Sequence, residues 1–225
     1  MLQPDSVRGE LIVFTKIPGT GRVTTLNEQF GDIDIYLFDQ LLRRRIVAGM
    51  RVLDAGCGWG RNLIYLLRAG YEVCGADADP DAVAAVRRLA VELAPSLPAE
   101  NFRVEPVEAM SFADGCAEVV ISSAVLHFAA SHQQFEAMLT GAWRVLAPRG
   151  LFFCRLASSI GLETQVVPIG EGRYRLPDGS DRYLVDEERL MTMSARLGGE
   201  LLDPLKTTIV QSRRSMTTWV LRKGG

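Results

Sequence analysis

The chain has almost no charge excess of either sign. Its 25 Lys and Arg stand against 27 Asp and Glu, for a formal net charge of -2 and a pI near 5.8. Proteins that live on nucleic acid or an anionic membrane carry a basic excess or stripe, so neither partner is expected. Arg43-Arg44-Arg45 and Arg213-Arg214 are short clusters that read as solvated faces. Cysteine is sparse and scattered: Cys57, Cys74, Cys116 and Cys154 never fall at the spacing of a zinc knuckle or a redox pair, so no metal site is expected. Cys74 and Cys154 lie inside apolar runs, where a reduced thiol behaves as a small hydrophobe. A long apolar run is also missing from MLQPDSVRGELIVF, which is broken by Asp, Arg and Glu. Neither a secretory signal nor a membrane span is therefore expected there, and the expected location is cytoplasmic. No repeat or low-complexity tract is visible.

What is present is an ordinary globular composition, 48% hydrophobic and 23% charged over 225 residues. A chain of this size buries roughly 70% of its unfolded surface, so a sizeable core is available. Residues 1–50 read as an N-terminal cap segment, with Ile33, Leu37, Leu41 and Leu42 at helical spacing. From 51 to 225 a single domain is expected, opening with alternating strands and helices. Strands are expected from Val52, over 71–76, 102–105 and 118–122 (EVVIS), and over 151–155 after a Pro148-Arg149-Gly150 turn. Between them, 62–69 reads as a helix closed by Gly70. Asp79-Pro80-Asp81 reads as a helix start, and 135–146 carries Phe135, Met138, Leu139, Ala142 and Leu146 on one face. Solidly apolar strands alternating with helices predict a doubly wound, mostly parallel sheet. Residues 158–185, rich in glycine, read as an inserted hairpin or lid. A helix over 186–197 and an antiparallel pair, 207–211 with 216–221, finish the chain.

VLDAGCGWGRN (52–62) carries the chemistry. Glycines after a first strand let backbone approach a ligand closely, and the helix behind offers free N–H groups. The spacing Gly56-x-Gly58-x-Gly60 is not the G-x-G-x-x-G of dinucleotide enzymes, because position 61 is Arg. Asp54 stands at the strand end, where a diphosphate would meet like charge and a cationic ligand would be attracted. Asp77 ends the next strand, 19 positions after Gly58, where an acid can accept from both hydroxyls of a ribose.

With those residues in view, 51–155 resembles the class I S-adenosylmethionine-dependent methyltransferases. VLDAGCGWGRN, VCGADADP, AEVVISSAVLHF and WRVLAPRGLFF match four of the family's motifs in order. FGDIDIYLFDQ and LKTTIVQSRRSMTTW are similar to the tellurite-resistance-like bacterial subgroup. The resemblance implies a Rossmann-like methyltransferase fold, α/β and doubly wound. Its seven strands run in the order 3-2-1-4-5-7-6 with strand 7 antiparallel. It implies S-adenosyl-L-methionine as cofactor, held by Asp54, Ala55, Gly56, Gly58, Asn62, Asp77, Ala78, Val107, Glu108 and the carbonyl of Ser122. Pro106 replaces the family's usual adenine-binding Asp, which leaves the Val107 N–H and Glu108 for that role. The acceptor is expected to be a small molecule, with His127 and Tyr36 as candidate catalytic residues. Arg155, Arg173, Arg175, Arg182 and Tyr183 hint at an anionic one. His132 reads as a surface residue at a helix entry. Two further readings stand beside methyl transfer: a nicotinamide-dependent oxidoreductase, and an S-adenosylmethionine-binding regulator without turnover.

Overall fold

The computed structural model describes residues 25–225. The first 24 residues of the expected cap segment, Val23 among them, lie outside the described residues. The described part opens with two short helices, α1 (Leu26–Phe30) and α2 (Ile35–Leu42). Thr25 and Glu28 close a capping box on the first, and Asp34 caps the second by accepting from the Tyr36 N–H at 3.0 Å. α2 turns Leu37 into the core, and Ile46 follows it there.

Alternation then begins: β1 (Arg51–Ala55), α3 (Ile64–Arg68), β2 (Glu72–Asp77), α4 (Pro80–Leu93), β3 (Phe102–Val104), β4 (Ala117–Ser123), α5 (His132–Val145) and β5 (Leu146–Ala157). Each long helix starts where a short polar side chain satisfies a free N–H. Asp79 accepts from Asp81 at 2.9 Å, with Pro80 at the first turn, and Ser131 accepts from Gln134 at 3.1 Å. The glycine loop keeps Asn62 and Leu63 in turns, so α3 is shorter than the 62–69 helix expected. The Pro148-Arg149-Gly150 turn is also absorbed. It becomes a register shift inside β5, between the Ala117–Leu146 and Val119–Leu151 pairings, with Arg149 at φ 63°.

The sheet is doubly covered, as the apolar strands require. Because successive side chains point to opposite faces, Leu53, Val120, Phe152 and Cys154 pack under α5. Val52, Val119, Ile121 and Phe153 join the core formed with α2, α3 and α4. Downstream come a three-stranded antiparallel meander, β6 (Val167–Gly170), β7 (Arg173–Arg175) and β8 (Asp181–Tyr183), then α6 (Glu187–Arg196), β9 (Gly199–Leu201), β10 (Lys206–Val210) and β11 (Arg214–Lys223). The main order is β3-β2-β1-β4-β5-β11-β10, with β11 antiparallel to β5. This is the expected 3-2-1-4-5-7-6 arrangement.

One feature was not expected. β9 pairs with β11 at Leu221–Leu201, and β10 pairs with it at Thr218–Lys206, so the sixth position of the sheet is filled by two pieces. The break at 202–205 turns Asp203 inward, where it accepts from Arg45 Nη1 at 2.6 Å and Gln40 Nε2 at 3.2 Å. Residues 158–185 hold this meander, entered and left where Ser158 and Val185 form a β-bridge. Among the described residues no helix is long and apolar enough to cross a membrane.

Candidate functional site

At the carboxyl ends of β1, β2 and β4 a cavity of about 570 Å³ opens. Ligands of open α/β sheets bind at this edge, where the strand order reverses. Gly56, Gly58, Asn62, Asp77, Ala78, Val107 and Glu108 form much of its wall, so most of the residues expected to hold a cofactor meet at one place. Asp54, Ala55 and Ser122 do not reach the surface of the cavity; all three are buried behind it.

The glycine loop explains its own composition at two positions. Gly56 has φ 88°, and a Cβ there would collide with the Val125 side chain. The loop is thus pressed against the turn after β4. Gly58 has φ 48°, and a Cβ there would meet nothing within 4 Å, so the missing side chain leaves open space for a ligand against the backbone. Asp77 secures this loop. Its Oδ2 accepts from the Gly58 N–H at 2.8 Å and its Oδ1 from the Asp79 N–H at 3.0 Å, and each oxygen keeps a second acceptor site.

Asp54 is the group most out of balance. It is fully buried, and its Oδ1 has no hydrogen-bond partner among the described residues. Burial pushes its carboxyl up to about 8, with nearby Arg61 pulling the other way and Asp77 adding to the rise. Near neutral pH the group is therefore mostly the neutral acid, and a positive ligand in the loop would favour its ionised form.

Val107 begins a single 3-10 turn over Val107–Ala109 that lies against α5. Any side chain at Gly141 on that helix would strike the Val107 carbonyl. Glu108 is held by Gln134 of the same helix, whose Nε2 donates to its Oε1 at 2.9 Å. Trp59 and Phe128, 67% and 61% exposed, stand on the wall with Val125 and Met138.

The opposite rim is polar and long-range. Asp34, buried, accepts through Oδ2 from Ser123 Oγ and from Arg155 Nη1, both at 3.2 Å. Arg61 lies 3.7 Å from the same oxygen and donates to Ser123 at 3.0 Å. Asn62 accepts from the Asp34 N–H at 3.0 Å, so the loop and the α2 entry are tied twice. None of Arg61, Ser123, Gln134 or Trp59 was singled out from sequence as a site residue. Asp34 is both a helix cap and the centre of this rim.

Neither catalytic candidate lines the cavity. Tyr36 bonds through its hydroxyl to Thr208 Oγ1 at 2.6 Å, and its ring centre lies 5.4 Å from the Arg155 guanidinium carbon. His127 is buried, and its Nδ1 accepts from the Ala157 N–H at 3.1 Å. That bond assigns the ring proton to Nε2. Burial, with Arg182 and Arg155 adding to it, lowers His127 to about 4, so the ring is neutral at pH 7. With one nitrogen bonded as an acceptor and the other protonated, the ring suits a hydrogen-bond donor better than a general base. His132 bonds to the Tyr183 hydroxyl at 2.8 Å and so fastens α5 to the meander. No group of three or more His, Cys, Asp or Glu among the described residues is arranged to hold a metal ion.

Known proteins share this architecture. A structure from Pyrococcus horikoshii OT3 aligns with a TM-score of 0.66 at 18% identity, covering 84% of this chain and 89% of the other. The 1,6-didemethyltoxoflavin-N1-methyltransferase of Burkholderia thailandensis, solved with 1,6-didemethyltoxoflavin and S-adenosylhomocysteine, aligns at 0.66 and 17% identity, covering 87% and 80%. Among curated proteins, an uncharacterized methyltransferase of Synechocystis sp. (strain ATCC 27184 / PCC 6803 / Kazusa) is 31% identical over 107 residues. That stretch is 48% of this chain and 47% of the relative, so the match spans about half of each. Residues 53–154, from inside β1 to the middle of β5, match the family described as methyltransferase domain.

Proposed function

We propose that the protein is an S-adenosylmethionine-dependent methyltransferase acting on a small-molecule acceptor. The observation that carries this reading is the unpartnered Asp54 oxygen buried behind a glycine loop. That loop can seat a ligand against its backbone, and the carboxyl behind it, which gains its charge when a cation binds, favours an ammonium or sulfonium over a diphosphate. The methyltransferase-domain match over 53–154 supports the reading, and nothing at the site favours the oxidoreductase or the regulator without turnover. The solved Burkholderia thailandensis relative, with 1,6-didemethyltoxoflavin beside S-adenosylhomocysteine, supports a small acceptor. FGDIDIYLFDQ and LKTTIVQSRRSMTTW support the tellurite-resistance-like subgroup.

When bound, the cofactor supplies a methyl group already activated on sulfur for in-line displacement. The chain's own work is to hold and to exclude. Asp77 offers its remaining acceptor sites to ribose hydroxyls, and Ala78 and Val107 flank the base, with Glu108 at its edge. The Gly56–Gly58 backbone, with Asn62 beside it, lies along the amino-acid part. Asp54 supplies counter-charge to the ammonium, and the Ser122 carbonyl a further acceptor. Arg61, on the cavity wall, is the cation placed for the α-carboxylate. Val125, Phe128 and Met138 keep water from the reacting end. Holding acceptor and methyl in line contributes on the order of 7 kcal/mol or more. His127 and Tyr36 serve at the acceptor end: His127 as a neutral Nε2–H donor, Tyr36 by holding Arg155.

Isothermal titration with S-adenosylhomocysteine and with NADH tests the assignment. The expected result is saturable binding of the first and none of the second. Binding of NADH without S-adenosylhomocysteine would overturn it.

A further inference from the structure

Two arginines, Arg155 and Arg182, stand beside the cavity without lining it. Arg155 on β5 meets Asp34 through one nitrogen, while its Nε is buried and has no partner among the described residues. Arg182 on β8 makes no ion pair among the described residues; its Nη1 donates to the carbonyl of Asp181 at 2.6 Å. The carboxylate of Asp181 is already held in a forked pair by Arg175, at 2.8 and 3.0 Å. The Arg182 guanidinium carbon lies 4.8 Å from the centre of the exposed Phe128 ring, which is on the cavity wall. Arg155 reaches the same wall through Asp34 and Ser123.

We propose that the acceptor carries a carboxylate, which sits between Arg155 and Arg182 while its apolar body rests on Phe128. The inference rests on the methyl-transfer reading. It follows from the charges left over once the cofactor is seated. With Arg61 turned to the cofactor's α-carboxylate, Asp34 offsets Arg155, and the charge of Arg182 is met only by Asp181, which Arg175 already holds. A monoanion neutralises the Arg182 charge, whereas a phosphate dianion would leave an excess negative charge in a half-buried place. The planar guanidinium of Arg182 has the donor geometry that a carboxylate takes up, and Arg155 adds a second positive charge beside it.

The probes are benzoate and 4-hydroxybenzoate, each against its neutral amide, with phenyl phosphate as a third arm. All are titrated into protein saturated with S-adenosylhomocysteine. Both acids are expected to bind at least tenfold more tightly than their amides and more tightly than phenyl phosphate. Arg182→Gln, on the partly exposed meander, is expected to bring the acids to the level of the amides without changing the S-adenosylhomocysteine dissociation constant. Equal binding of acids and amides, no binding of either, a preference that survives Arg182→Gln, or a preference for phenyl phosphate each overturns the assignment. Failure of S-adenosylhomocysteine to bind in the first titration sinks the methyl-transfer reading and the carboxylate with it. That failure is read separately, before any probe is added.

Discussion

At the scale of single residues, Asp77 has two tasks that one substitution removes together. It orders the glycine loop through the Gly58 and Asp79 N–H groups, and it is the acid proposed to meet the ribose. Asp77→Ala is expected to weaken S-adenosylhomocysteine binding at least tenfold, about 1.4 kcal/mol, as read by titration calorimetry. An unchanged dissociation constant would remove Asp77 from the ribose role. This residue was legible because its signal is local, an acid at a strand end at a fixed distance from a glycine loop. The rim around Asp34 was not. Arg155 lies 121 positions away from Asp34 and Ser123 lies 89, and neither carries a motif that announces the contact. Arg61 drew notice only as a break in a glycine spacing, although it stands on the cavity wall.

Among elements, what the sequence disclosed followed periodicity and caps. α4 begins at the Asp79-Pro80 signal and buries Val83 and Val86 as their spacing requires. β4 is the solid apolar run that a strand covered on both faces must be. β9 escaped notice because three residues, Gly-Glu-Leu, carry no period, and its pairing with β11 is fixed only in the folded sheet. The break that follows it is held by Asp203, which bridges this edge to Gln40 on α2 and to Arg45 beyond it. Asp203→Ala removes the buried carboxylate from Arg45 and Gln40, which keep each other and, on this edge, only the Leu202 carbonyl. The expected loss is about 1–3 kcal/mol, or roughly 2–4 °C in Tm per kcal/mol for a chain of this size. Thermal melts followed by circular dichroism measure it. A Tm within 1 °C of the unaltered protein, about the error of such melts, would show that the two pieces of the edge hold themselves.

For the whole molecule, strand-helix alternation pointed to the doubly wound parallel sheet, while the strand order came from the family likeness alone. The shape of the 158–185 segment followed from neither, because glycine-rich pieces with weak alternation fit a hairpin, a lid or a meander alike. pH dependence also belongs to this scale. Asp54 sits above its unfolded value, near 8, so the stability it lends is lost as pH rises through that range. His127 sits below its unfolded value, near 4, so the stability it lends is lost as pH falls from about 6.5. Between 4 and 6.5 the two oppose each other; between 6.5 and 8, of this pair, Asp54 acts alone. The ligand-free Tm is therefore expected to fall from pH 6.5 to 8. Over the same range S-adenosylmethionine affinity is expected to rise, by up to about tenfold per unit, as its ammonium displaces the Asp54 proton. Melts and titrations across that range, on the unaltered protein and Asp54→Asn, measure both. Slopes that persist in Asp54→Asn would assign the proton elsewhere.

The meander leaves the main sheet after Ser158 and rejoins it at Val185, and these two residues are already neighbours. The Ser159 N–H donates to the Val185 carbonyl at 2.9 Å, closing the junction like a stem beneath a flower. Closing a longer or shorter excursion across such a stem changes the chain entropy by well under 1 kcal/mol for modest differences in length. The length of the segment is therefore free to vary more than its contacts are, because Tyr183 is part of the main core. A different excursion could be closed on the same stem at little entropic cost, provided it kept a ring where Tyr183 stacks on Phe135.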